Sequence, residues 1–178
     1  IRDVNLPGWS LDNTQLGFKF EGVTKDALSF SVNFLTYRSQ LPSLRGGITS
    51  VHPFTGATGT SPYLIAFDLD FPRVNLLGGS LDIQADAIGS VIRMEAAITK
   101  GEEFPSTMQP RLFKESKVVR YVIGLDRPTF IPMLNKDRTF LISGQIFGQH
   151  LLDHEQADGP LGRIGMPDWK DNWIGTLL

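Results

Sequence analysis

Three groups of residues in this chain have the types and spacing to do chemistry. The sharpest is His150, Asp153 and His154. On a helix the two histidines would share a face, and with the carboxylate between them they could ligate zinc. The residues before them read as strand and those after as loop, so a solvated loop is the preferred reading and no metal is assigned. The second group, Glu102 and Glu103 with Asp68 and Asp70, has the acidity of a calcium pocket at an outer rim. Ordinary loop polarity is the preferred account of it. The third is a set of polar groups placed mid-strand: Lys19, Glu21, Asp82, Arg93, Glu95, Arg120 and Gln145. Arg93 and Glu95 share one strand face, with Arg120 on the next strand. Charges so arranged can set the electrostatic preference of a pore, or brace its wall as an ion-pair network, and both roles stay open.

Other chemistry has no residues to carry it. There is no Gly-x-Ser-x-Gly elbow and no Gly-rich phosphate loop ending in Lys and Ser or Thr. Cysteine is absent, which removes thiolate zinc sites, disulfides and cysteine nucleophiles. The expectation is a protein that is not an enzyme and holds no cofactor. With 17 basic against 19 acidic residues and no basic block, nucleic acid is not an expected partner.

The elements that must position these groups are strands. In residues 14–23, Leu16, Phe18 and Phe20 alternate with Gly17, Lys19 and Glu21. After a short turn at Thr24, Lys25 and Asp26, Leu28, Phe30, Val32 and Phe34 alternate with Ser29, Ser31 and Asn33. A period of two is the mark of a half-covered strand, and the pair reads as a hairpin. The same alternation recurs in 74–85, 90–99 and 118–126, less regularly in 139–152, and begins again in 171–178. Between them, 38–62, 100–117 and 153–170 read as long loops. The connections at 24–26 and 86–89 are tight, and 126–138 reads as a longer turn with a helical kink at 130–134, where Asp126, Arg127 and Pro128 suit turn entry. Long and short connections thus tend to alternate, as they do in outer-membrane barrels. Residues 63–71 also alternate, and are read as an external extension leading through Pro72 into the next strand.

Alternation does not say which face is the interior. A soluble sandwich or lipid-binding barrel points its apolar face inward, whereas a membrane barrel points it at lipid. Charges set mid-strand beside Gly17, Ser29, Ser31 and Ala97 suit a narrow wet lumen, and a soluble surface would hold them too. No apolar run approaches the roughly 18–20 residues of a spanning helix, a test that strands escape. Trp9, Trp169, Trp173, Tyr37, Tyr63 and Tyr121 are the candidates for an aromatic belt.

Two stretches carry a resemblance. One is Phe71-Pro-Arg-Val-Asn75 followed by Arg93-Met-Glu-Ala-Ala-Ile-Thr-Lys-Gly-Glu-Glu-Phe104. The other runs from Val119 to Asn135 and from Arg138 to Gln145, and contains the more specific motif Gly124-Leu-Asp-Arg-Pro-Thr129. They resemble a group of long, mostly uncharacterised Gram-negative outer-membrane β-barrels, known as a domain of unknown function. Genes of that group often lie near those of exporters of the resistance-nodulation-division type. The resemblance covers about Trp9 to the C-terminus and is best between Pro72 and Gln145. It implies an all-β, antiparallel transmembrane barrel in the Gram-negative outer membrane, with the lipid bilayer as partner and such an exporter or another envelope protein as a second one. It implies a pore or export channel for a hydrophobic or amphipathic small molecule. A soluble lipid-binding barrel or sandwich, and a structural barrel within an envelope complex, are the alternatives. The chain starts at Ile1 without a leader and stops mid-strand, so the expectation is one segment, 1–178, giving about six to eight strands of a larger barrel.

Overall fold

The computed structural model describes residues 3–25, 28–46, 50–51, 54–55, 58–59, 67–160 and 162–178. In chain order the strands are β1 (Asp3–Asn5), β2 (Leu16–Val23), β3 (Ser29–Arg38), β4 (Ser43–Gly46), β5 (Ser50–Val51), β6 (Thr58–Gly59) and β7 (Phe67–Asp70). There follow β8 (Arg73–Ala85), β9 (Ser90–Pro105), β10 (Phe113–Phe130), β11 (Thr139–Leu151), β12 (Gln156–Gly159), β13 (Gly162–Gly165) and β14 (Asp171–Leu177). Two short 3-10 turns, Leu11–Asn13 and Asp86–Ile88, complete the order, and no α-helix occurs among the described residues.

Seven strands form one antiparallel sheet in the order β14-β11-β10-β9-β8-β3-β2. Apart from the excursion between β3 and β8 and the small hairpin before β14, this is a plain meander. The predicted first hairpin is present with Phe18 opposite Phe34 and Lys19 opposite Asn33. The sheet has two open edges, β2 and β14, so the architecture among the described residues is an open antiparallel sheet and not a closed barrel.

Connections at one end, 39–72, 106–112 and 152–170, are the elaborate ones. Those at the other end, 24–28, 86–89 and 131–138, are plain turns. The first supplies β4 and β7 of a small three-stranded sheet, β1-β7-β4, completed by β1 from the start of the chain, with β1 and β7 parallel. Phe67–Asp70 therefore lies outside the main sheet, as an extension entering β8 through Pro72; Tyr63 and Ile65 lie outside the described residues. The third carries the hairpin β12–β13.

Parts of two predicted connections, 100–117 and 126–138, are strand instead. Residues 100–105 continue β9 and 113–117 begin β10, paired from Phe113 opposite Pro105 onward. The Gly and charge content that read as loop marks a local irregularity: the register shifts between Ser116 and Val118, and Gly101 has φ +97°. Likewise Asp126 to Phe130 is not a turn. It stays on β10, paired to β11 as far as Phe130 opposite Thr139. Pro128 is tolerated because β9 pairing ends at Asp126, leaving that side of the strand without a ladder. The expected helical kink at 130–134 reduces to a single turn, with Leu134 and Asn135 N–H groups both donating to the Ile131 carbonyl.

Very little apolar surface is covered. Among the described residues the buried hydrophobic ones are Val74, Val118, Leu151 and Met166. The accessible surface is 12668 Å² at 19.7 kDa, against about 8,600 Å² for a compact monomer of that mass. Phe18, Phe20, Phe34, Leu77, Ile123 and Ile146 are all exposed and all lie on one face of the sheet.

Candidate functional site

The opposite face is concave and mixed in polarity. Cross-strand register sets Lys19, Asn33, Gly78, Ala97, Arg120, Gln149 and Asn172 in one row from edge to edge. The next row toward the plain turns is Glu21, Ser31, Ser80, Glu95, Val122, Phe147 and Ile174, and the one after it contains Asp82, Arg93, Gly124 and Gln145. All the charged and amide residues singled out in the sequence, Lys19, Glu21, Asp82, Arg93, Glu95, Arg120 and Gln145, therefore share this face. A groove of about 590 Å³ runs along it, lined at one edge by Lys19 and at the other by Asn172 and Ile174.

The charges are wired differently from the expected Arg93/Glu95/Arg120 cluster. Arg120 makes a two-pronged pair with Glu102, Nη2 to Oε2 at 2.7 Å, and Glu102 also accepts from the Thr99 hydroxyl. Arg93 sits directly opposite Asp82 yet pairs with Asp126. Asp126 is further held by the Ser143 hydroxyl at 2.5 Å. Lys19 pairs along its own strand with Glu21, 2.5 Å away. Among the described residues Glu95 and Asp82 have no ion-pair partner; Glu95 lines the groove and Asp82 lies one row beyond it, opposite Arg93. Ser31 and Ser80 hydroxyls join at 2.8 Å beside them.

Sequence reasoning missed three features. Glu102 was placed in a loop, because the irregularity at Gly101 hides the strand that brings it to Arg120. Asp126 was read as turn entry. The apolar lining residues Val122, Phe147 and Ile174 were not singled out. They form the end of the Glu95 row, so one side of the groove is acidic and the other greasy.

The loop end of this face carries the small core. Val118 and Leu151, both fully buried, meet Met166, with Phe104 and Trp169 packed around them. Residues of connection 152–170 thus lie on concave-face side chains. Trp169 belongs to this core and not to an outer belt, and Tyr37 is also on the concave face, opposite Val74. Tyr121 and Trp173 do lie on the apolar face, where they cluster with His150 at ring separations of 5.2–5.6 Å.

The weak metal candidates separate. His150 Nδ1 lies 2.6 Å from Asp171, His154 Nε2 lies 2.7 Å from the Pro167 carbonyl, and Asp153 accepts from the Lys117 N–H. Among the described residues no three His, Asp or Glu side chains converge on a metal position. Of the acidic group, Glu102 leaves for Arg120, while Asp70 and Glu103 come together around a cation of the protein's own. Arg45 bridges Asp70 and Glu103, and its guanidinium is held further above its usual high pKa chiefly by the Glu103 hydrogen bond. Gly46 is strand, at the end of β4 beside Arg45, within the stretch 38–62 that was read as a long loop; Gly47 lies outside the described residues.

Connection 152–170 is fastened by Glu155. Its carboxyl lies below the ordinary range, first because the Gln109 amide donates to it at 2.7 Å and second because Lys114 is 3.1 Å away. A depressed carboxyl stabilises docking above its ordinary pKa and stops doing so as pH falls through its folded value. Protection of the Met166 N–H, which donates to the Glu155 carbonyl, against hydrogen exchange is expected to fall as pH drops below the ordinary carboxylate range. Glu155→Gln should abolish that pH dependence; an unchanged profile would mean that Glu155 is not the fastening group.

A model of the family described as "Protein of unknown function (DUF1302)" matches residues 1–173. No curated protein and no solved structure matches the chain significantly.

Proposed function

We propose, for a chain that belongs to the DUF1302 family of proteins of unknown function, that it forms part of the wall of an outer-membrane β-barrel that conducts or exports an amphipathic small molecule. The observation that carries this reading is the inverted sheet: apolar side chains exposed on the convex face, charges and hydroxyls on the concave one. Leu77 is 53% exposed and Trp173 58%, with no described element packed over them. In water such a face is a liability, whereas in lipid it is what a barrel wall requires. From Leu77 to Ile83 the apolar band runs about 20 Å along β8 at about 3.4 Å per residue, close to the height of a lipid-facing band. Tyr121 and Trp173 lie toward its loop side, as interfacial aromatics do. The groove's acidic and apolar sides suit a solute with both characters. Elaborate connections all lying at one end support an outside-facing loop end, with the bilayer as partner and an RND-type exporter or another envelope protein as a docking partner.

A second reading, a closed structural barrel within an envelope complex, is favoured by one observation: Met166 and Trp169 sit on Val118 and Leu151 at the loop end of the groove. Planar-bilayer conductance separates the two. A pore gives ion current, and Arg120→Gln, which leaves Glu102 without its cation, is expected to shift the reversal potential toward cation preference. A protein that inserts and carries no current sinks the pore reading. One that stays monodisperse without detergent sinks the membrane reading altogether.

A further inference from the structure

Just beyond the apolar band, on the same convex face, the side chains become basic. On β3 the outward residues run Phe34, Thr36, Arg38; on β8 they run Leu77, Asn75, Arg73; on β9 Ile98 is followed by Lys100. Arg38 and Arg73 are directly opposed in the ladder. Like charges in that position repel, and a carboxylate paired with both would be the usual remedy. Among the described residues no carboxylate pairs with either. Arg38 donates to Asn13 Oδ1 at 2.9 and 3.1 Å and to the Phe71 carbonyl at 3.2 Å. Arg73 donates to the Thr36 hydroxyl at 3.2 Å and to the carbonyls of Thr14 and Asp12. Every acceptor is neutral. Lys100, opposite Asn75, has no ion-pair partner among the described residues.

These three cations line a cavity of about 280 Å³. Asp70 and Glu103 also line it, but Arg45 holds both. With Glu115 the lining holds three carboxylates against four cations, Arg45 included, an excess of one positive charge. Neutral acceptors fix the two guanidiniums in place without discharging them, which is how a site for an anion is built. Immediately below lie Phe34, Leu77 and Ile98, exposed and apolar.

We propose that this cavity binds the phosphate headgroup of an anionic lipid, with the acyl chains lying along Phe34, Leu77 and Ile98. The inference rests on the membrane reading above and adds a specific lipid site to it. Paired guanidiniums match the several oxygens of a phosphate better than a single ammonium does. The adjoining apolar face distinguishes a lipid phosphate from a free one.

The test is native mass spectrometry of the full chain released from neutral detergent, titrated with dioleoyl phosphatidylglycerol, dioleoyl phosphatidylcholine and inorganic phosphate. Phosphatidylglycerol is expected to be retained in clear preference to phosphatidylcholine, with inorganic phosphate a poor competitor. The double variant Arg38→Gln/Arg73→Gln should lower that preference about tenfold or more, and Lys100→Gln about fivefold. Lys100 has no ion pair to lose among the described residues, so its variant decides the matter should the double variant fail to fold. Equal retention of the two lipids, or an unchanged preference in Lys100→Gln, overturns the site. Inorganic phosphate competing as well as the lipid also overturns it, since that describes a bare ion site. A protein that needs detergent but shows no headgroup preference sinks this site alone, whereas one that needs no detergent sinks the membrane reading beneath it.

Discussion

Ile123→Arg is expected to destabilise the membrane-inserted fold by about 2–4 kcal/mol, the cost of a cation on the lipid face of a barrel near mid-bilayer. Ile123 lies mid-strand on β10, 46% exposed, between Met94 and Ile146 on the convex face. Were the face simply wet, the same change would cost no more than about 0.5 kcal/mol. A buried soluble interface would also resist it, so depth decides. In a bilayer the penalty shrinks toward the interfaces, and Ile98→Arg, close to the loop end of the band, should cost clearly less than Ile123→Arg. Gln145→Arg, on the concave face, should be nearly neutral. Unfolding equilibria in lipid vesicles give all three values. A flat profile across Ile98 and Ile123 would remove lipid as the solvent of this face.

Gly101→Ala is expected to be the most damaging small substitution. Gly101 has φ +97°, a region that L side chains rarely enter, and holding one there costs about 1–3 kcal/mol. Space is lacking as well. A Cβ at this position would overlap the Arg73 carbonyl oxygen and lie 3.3 Å from its carbonyl carbon. Both are backbone atoms that no rotamer change can move, so the overlap adds to the conformational cost. Relief would come from straightening β9, which would swing Glu102 away from Arg120 and Glu103 away from Arg45. The measurement is thermal unfolding, with hydrogen exchange across 100–117 as the local readout. Gly89→Ala is the control: Gly89 also has positive φ, but nothing lies within 4 Å of an added Cβ. It should lose less, and equal losses would mean that conformational strain alone, without the Arg73 contact, sets the cost.

The seven main strands, and which residues share a face on each, were legible, because a period of two survives wherever strands are regular. Leu77 with Ile83, and Arg93 with Glu95, fall on the faces that alternation assigned. What escaped the sequence lies where the period breaks. At Gly101 and between Ser116 and Val118 the register shifts, so a continuous strand reads as a Gly-rich, charged loop and the Arg120–Glu102 pair is invisible. At Pro128 a ring that signals a turn sits on a strand whose neighbour has already ended. Site residues were legible as a face and illegible as pairs, since pairing depends on reach across the ladder: Arg93 passes over its direct opposite, Asp82, to reach Asp126. The metal reading of His150, Asp153 and His154 depended on a helix, and a strand followed by a turn sends the two rings to different places.

The open sheet also has a parity. β2 leaves the loop end and reaches the turn end at Val23, and β14 leaves the loop end at Asp171 and heads the same way. The two free edges therefore point in the same direction. Joining them to each other would insert one parallel seam into an otherwise antiparallel ladder, and so would joining two copies of this sheet with their loops on the same side. Antiparallel closure takes an odd number of further strands between β14 and β2, whatever polypeptide supplies them, and makes the total even.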